Sequence, residues 1–187
     1  MTTTLRSKID VQLGWNWRDR IGPFTLIDDN RLSLSRELTD GAGAGQADVV
    51  WHAANQTIPA GQSITLELAA LGQSIFDDVM IVSLARVKAI LVINRSTAAN
   101  ACLVLGGAGV GEWFAPFGML GDTVKVMPES PLLLAHARDG WEVEPGYEAL
   151  KLQALGGDVT FDIAILAVCA DGSPSPSSSD PGTPSGT

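Results

Sequence analysis

The residues most able to do chemistry lie in a glycine run, Gly106-Gly-Ala-Gly-Val-Gly111. A glycine loop after a strand is where a dinucleotide phosphate would sit. Here the spacing is Gly107-x-Gly109-x-Gly111, and Glu112-Trp-Phe-Ala-Pro-Phe-Gly follows in place of a helix N-terminus. Glu112 would also repel a phosphate, so the run is expected to be a strand-to-strand loop. Gly41-Ala-Gly-Ala-Gly45 reads as a hinge between an arm and a body, and neither run carries the Lys-Ser/Thr of a phosphate-binding loop. His52 and His136 stand far apart, each without a second ligand type beside it, so no metal site is expected. The acidic pair Asp77-Asp78 suits a cation or a carboxylate dyad in principle, but its place before an apolar run reads as a solvated turn. Cys102 and Cys169 sit in apolar stretches, with no Cys-x-x-Cys pair, and are expected as buried thiols. There is no Gly-x-Ser-x-Gly elbow. Asn94-Arg-Ser is a formal glycosylation sequon with no secretory context to use it. No enzyme, cofactor or metal is expected.

The aromatics suggest contact instead of catalysis. Trp15 and Trp17 are two apart, so on an extended segment both point the same way, as an anchor laid into a partner's groove would require. The alternative is that they pack on the protein's own core. Trp113 and Phe114 open a Trp-Phe-Ala-Pro-Phe loop that is either an exposed contact patch, a platform for sugar rings, or a loop with its rings tucked inward. Trp15, Trp17, Trp113 and Phe114 are therefore the candidate partner contacts.

These side chains need a frame, and the periodicity predicts strands. Ile9-Asp-Val-Gln-Leu, Leu32-Ser-Leu-Ser-Arg-Glu-Leu, Ile64-Thr-Leu-Glu-Leu and Thr123-Val-Lys-Val-Met alternate apolar and polar residues. Val87-Lys-Ala-Ile-Leu-Val-Ile reads as a central strand buried on both faces. Ala47 to Ala53, Cys102 to Leu105 and Pro131 to Ala135 read as further strands. Leu150 to Leu155 and Val159 to Leu166, joined through Gly156-Gly-Asp, read as a terminal hairpin, with Val159, Phe161, Ile163 and Ile165 on one face. The only helix candidates are short, near Leu71 to Asp78 and near Arg18. Many short strands with turn chemistry between them predict an all-β, antiparallel sandwich of jelly-roll type. It would carry an N-terminal arm with first strands (1–45), a body (46–169) and a disordered Pro/Ser/Gly-rich tail (170–187).

Composition sets outer limits. Hydrophobic residues make up 45% and charged residues 18% of 187, which suits a folded domain. The formal charge of −9 disfavours direct nucleic-acid binding. No apolar run is long enough for a membrane-spanning helix, so no membrane partner is expected. The N-terminus has no apolar run of a signal peptide. Five of the 12 Lys and Arg residues fall in the first 31 positions, making the arm cationic relative to an acidic body and suited to lie across an acidic neighbour.

The order Leu38-Thr-Asp-Gly-Ala-Gly-Ala-Gly, Trp51, Ile64-Thr-Leu-Glu-Leu, Leu84-Ala-Arg-Val-Lys-Ala-Ile, Gly106-Gly-Ala, Phe114-Ala-Pro-Phe-Gly, Asp122-Thr-Val-Lys-Val, Pro131-Leu-Leu-Leu, Gly140-Trp and Val159-Thr-Phe-Asp-Ile-Ala-Ile-Leu resembles a group of small phage-encoded, virion-associated β-sandwich proteins. Met127-Pro-Glu-Ser-Pro131 departs from the Pro-Gly-Gly turn expected of that group. The resemblance implies a structural role: a capsid decoration or cement subunit, homotrimeric, made in the host cytoplasm and placed on the capsid surface against the major capsid protein. A glycan-binding module of a tail fibre or spike is the main alternative, and a tail or head-completion protein a further one.

Overall fold

The computed structural model describes residues 4–75, 78–170 and 175–176. The chain opens with two long strands, β1 (Ser7–Ile21) and β2 (Phe24–Leu38), paired antiparallel from Ser7↔Leu38 to Ile21↔Phe24. Gly22-Pro23 closes this hairpin. Gly22 has φ +63°, a conformation glycine takes without a Cβ clash, and the proline ring fixes the next φ. The region expected as an arm is thus a two-stranded ribbon, and Arg18 lies on β1 in place of a helix.

Among the described residues twelve strands follow: β3 (Val49–Ile58), β4 (Ser63–Glu67), β5 (Leu71–Ile75), β6 (Asp78–Val82), β7 (Leu84–Asn94), β8 (Cys102–Gly106), β9 (Thr123–Val126), β10 (Pro131–Ala135), β11 (Trp141–Glu142), β12 (Ala149–Leu155), β13 (Val159–Cys169) and β14 (Ser175–Pro176). Among the described residues there is no helix, so the second helix candidate is also overturned: Leu71–Ile75 and Asp78–Val82 pair as strands. One sheet runs β10-β7-β13-β3, with β11 beside β7, and the other runs β4-β12-β8-β9. With β3, β4, β7, β8, β9, β10, β12 and β13 lettered B to I, the sheets are B-I-D-G and C-H-E-F. That is the jelly-roll order, and the fold is the all-β antiparallel sandwich expected. Of the tail, only Ala170 and the Ser175–Pro176 backbone lie among the described residues; the latter pairs with β6.

Alternation drives the sandwich. On β13, Val159, Phe161 and Ile165 are fully buried while Thr160, Asp162 and Ala164 look outward. Leu150, Leu152 and Ala154 of β12 face them from the other sheet, with Leu103 and Leu105 of β8. Each such side chain contributes roughly 1.5–3 kcal/mol of burial. The expected β12–β13 hairpin is corrected here: the two strands are in opposite sheets and do not pair. Both carry an inward apolar face, and only placement across the core buries both. Gly156, at the start of this crossing, has φ +77°, and a Cβ there would run into the Asn100 carbonyl oxygen.

Buried polar residues tie the layers. Asn94, at the end of β7, donates to the Ala101 and Val126 carbonyls at 2.8 and 3.0 Å and accepts from Ser96 N–H at 3.0 Å. Its amide is fully buried, so the sequon asparagine is a structural lock inaccessible to a glycan. Cys102 and Cys169 stand in different sheets, with Cys102 Sγ 3.7 Å from the Met127 sulfur. In the Met127–Pro131 turn, Glu129 sits at φ +56°, where a glycine would be unstrained.

Candidate interaction face

Pairing register sorts the hairpin's side chains. Residues directly opposite share a face, so odd positions of β1 go with even positions of β2. Val11, Leu13, Trp15, Trp17 and Ile21 therefore share one face with Phe24, Leu26, Leu32 and Leu34, with Asp19, Asp28 and Asn30 among them. The other face carries Lys8, Asp10, Gln12, Asn16, Arg18 and Arg20 opposite Glu37, Ser35, Ser33, Asp29, Ile27 and Thr25. Asn16 donates across this polar face to Asp29 at 2.9 Å, while along β1 Lys8 Nζ meets Asp10 at 3.1 Å and Arg18 donates to Asn16 at 3.0 Å. Hydrogen bonding from Ser35, with help from Lys8, holds the Asp10 carboxyl below its ordinary pKa.

The apolar face has almost no cover. Leu13 is 66% exposed, Leu32 68% and Phe24 75%; Trp15 and Trp17 are 37% and 50% exposed. The two tryptophans thus lie on one side, as their spacing predicts, and do not pack on the core. Trp15 is steadied by an indole N–H donated to Asp28 at 2.8 Å. Only the base of the strip is buried. Ile9 and Leu38 pack with Ala47 and Ala89, against Leu5, Leu133, Ala137 and Leu166. At about 3.3 Å per residue, 15-residue strands carry the strip roughly 50 Å.

Lys88 secures the junction. It is fully buried, and Nζ donates to the carbonyls of Arg138 at 2.8 Å, Asp139 at 3.0 Å and Gly43 at 3.3 Å. Arg86 adds a bond to the Ala42 carbonyl at 2.8 Å. Burial, with the charge of Arg86, pushes the Lys88 ammonium below the ordinary lysine pKa. These bonds bind the Gly41–Gly45 hinge to the body. Sequence reasoning missed Lys88 because it sits within an apolar run, where a lone lysine reads as a surface interruption.

The second aromatic pair is placed differently. Trp113 is 1% exposed, donates its indole N–H to the Glu142 carbonyl at 2.7 Å and meets Trp141 edge-on at 6.5 Å. It is a core residue, which corrects its choice as a partner contact: its ring fills the space between the sheets and its one polar atom is satisfied. Phe114 is half-buried and edge-on to the exposed ring of Tyr147 at 5.8 Å, so the pair lies at the surface of the loop. The glycine run is a loop, as expected, held by Glu112. This buried carboxylate accepts from Gly107 N–H at 2.7 Å and Gly121 N–H at 2.9 Å. Glu112 turned away a phosphate reading on charge; in the fold it takes over the backbone donors such a ligand would need.

Among the described residues the histidines stand apart. His136 packs by Trp141 at 5.6 Å and His52 lies exposed on β3. Among the described residues no three His, Cys, Asp or Glu converge on a metal-sized site. Asp77 and the side chain of Asp78 lie outside what is described. Asp162 accepts from Asn55 N–H at 2.8 Å and from Arg95 at 2.7 Å, which lowers its pKa and holds Asn55 at φ +53°. No protein-family model matches this chain, and neither a curated protein nor a solved structure does.

Proposed function

We propose that this chain is a non-catalytic structural subunit that works by covering and holding neighbours in an assembly. The observation that carries this reading is the uncovered apolar face of the β1–β2 hairpin on an otherwise well-packed jelly roll. Monomeric soluble proteins seldom leave so many large apolar side chains together on one face open to water, and such surfaces mark association sites. The setting we propose is the outside of a phage head, with the chain as a decoration or cement subunit against the major capsid protein, as its motif order suggests. Each hairpin would bury its apolar face on a neighbour, and the area lost to water would raise the free energy needed to open the shell. The hairpin holds six cations (Arg6, Lys8, Arg18, Arg20, Arg31, Arg36) and six acids (Asp10, Asp19, Asp28, Asp29, Glu37, Asp40) within residues 1–45, so the net −9 belongs to the rest of the chain. A neutral arm meets no like-charge penalty on an acidic neighbour.

Particles made without the protein should assemble but open at lower temperature or milder osmotic shock than complete ones. Equal robustness would sink the cement role, and a copy number of a dozen or fewer per particle would favour a tail or head-completion position. Of the two rings the glycan-binding alternative would use, Trp113 is buried and Trp141 is half-buried.

A further inference from the structure

The two outer faces of the sandwich differ. The C-H-E-F sheet presents polar residues outward, among them Thr65, Lys151, Gln153 and Lys125. The B-I-D-G sheet presents Val50, Ala89, Leu91, Leu133, Ala164 and Leu166. Val50 and Leu91 are more than a third exposed, so β7, expected to be buried on both faces, is open on one. Beyond Leu91 and Ala164 the same trough continues past His52, Ala54 and Ile93. Lys8 and Asp10 of the chain's own β1 border its near end, and Asp162, held by Arg95 and Asn55 N–H, borders its far end. An acidic chain has kept this sheet face almost free of charge.

We infer that the hairpin of one copy lies, apolar face down, in the B-I-D-G trough of a second copy of this chain. The inference rests on the reading of the protein as an assembly subunit and names the partner of its hairpin. Three observations choose the second copy. Within one chain, the base of the hairpin already makes this contact, since Ile9 and Leu38 pack with Ala89, Leu133 and Leu166. A neighbour's hairpin would extend an existing interface along the same sheet. Every copy carries both a strip and a trough, so exchange leaves neither uncovered, and the contact closes as a reciprocal pair or a ring. The strip offers enough area on its side: nine half-exposed large side chains expose on the order of 1,000 Å² per copy, against the roughly 800 Å² per partner of a stable interface. A bilayer is a poor occupant, because Asp19, Asp28 and Asn30 interrupt the strip where lipid would have to cover them.

The test uses the purified full-length chain without any particle, so its outcome is independent of the capsid reading. Light scattering coupled to size exclusion, at roughly tens of micromolar protein, should report a dimer or a small ring. Leu13→Glu with Leu32→Glu should weaken association roughly a hundredfold or more while leaving the urea midpoint of the body unchanged. A monomeric wild type overturns the inference and leaves the face to a protein of another sequence, and so does monomeric wild type that sediments with phosphatidylcholine vesicles. An oligomer untouched by the double variant also overturns it. The seating is read by mixing Leu13→Cys and Leu91→Cys chains, each with Cys102→Ser, and adding a short bifunctional maleimide. A mixed cross-linked pair supports the trough; cross-linking only between two Leu13→Cys chains means that hairpins stack on each other and the trough is wrong.

Discussion

The hairpin strand β1 and the body strand β13 are written in the same two-residue period, and they end in opposite states. On β13 every inward residue from Val159 to Ala167 is nearly or fully buried, because β12 and β8 stand across from it. On β1 only Ile9 is covered, and Val11 to Ile21 face solvent. Alternation therefore specifies that a strand has an apolar face, and the fold decides whether that face is covered within the chain. The body turns its inward apolar faces onto its own core and leaves open only the outer trough of the B-I-D-G sheet. The hairpin keeps one in reserve, held by its own cross-strand bonds and by the Lys88 clamp.

Stability measurements test this contrast directly. The largest effect is expected from Phe161→Ala, which opens a cavity between the sheets and should cost about 3–5 kcal/mol in urea unfolding. Lys88→Met comes next. It leaves three carbonyls without their charged donor, should cost about 2–3 kcal/mol, and should make the Gly41–Gly45 hinge a site of limited proteolysis. If cleavage there is unchanged, Lys88 does not clamp the hairpin. Glu112→Gln should cost about 1–2 kcal/mol, since the amide replaces one of two acceptors with a donor facing an N–H.

Asp162→Asn should cost about 1 kcal/mol or less at neutral pH, the ion pair being partly screened by solvent. The carboxyl's pKa is lowered in the fold, so its contribution is complete above the unfolded value of about 3.9 and disappears as pH falls through the lower folded value. Wild type and variant should therefore converge in acid, and a gap that persists there would deny the carboxylate its role. The smallest effect is expected from Leu13→Ala in the monomeric state, within about 0.5 kcal/mol, because little is buried there to lose. A cost matching that of Phe161→Ala would erase the distinction between the two regions.

Much of this was legible in the chain. Most strands, the all-β class and the shared side of Trp15 and Trp17 follow from period-two alternation, which is a local property. The β1–β2 ribbon was half visible: Ile9 to Leu13 and Leu32 to Leu38 alternate, and Gly22-Pro23 is a turn signal. Charges around Arg18 and Asp28–Arg31 hid the strands' continuation, because paired polar residues on a ribbon look like breaks in a single strand. Trp113 was misplaced for a related reason. A tryptophan amid glycine and proline looks like a loop residue, and only the Glu142 carbonyl that receives its indole N–H and the Trp141 ring beside it draw it into the core.

By itself, then, the sequence determined which faces of which strands are apolar, because side-chain direction alternates whatever the neighbours are. It did not determine what lies against those faces. Placing β12 and β13 on opposite sheets, burying Trp113 and Lys88, and leaving the hairpin strip and the B-I-D-G trough open were decided only by the tertiary structure. Each depends on residues brought together from distant parts of the chain, and no local pattern encodes that meeting.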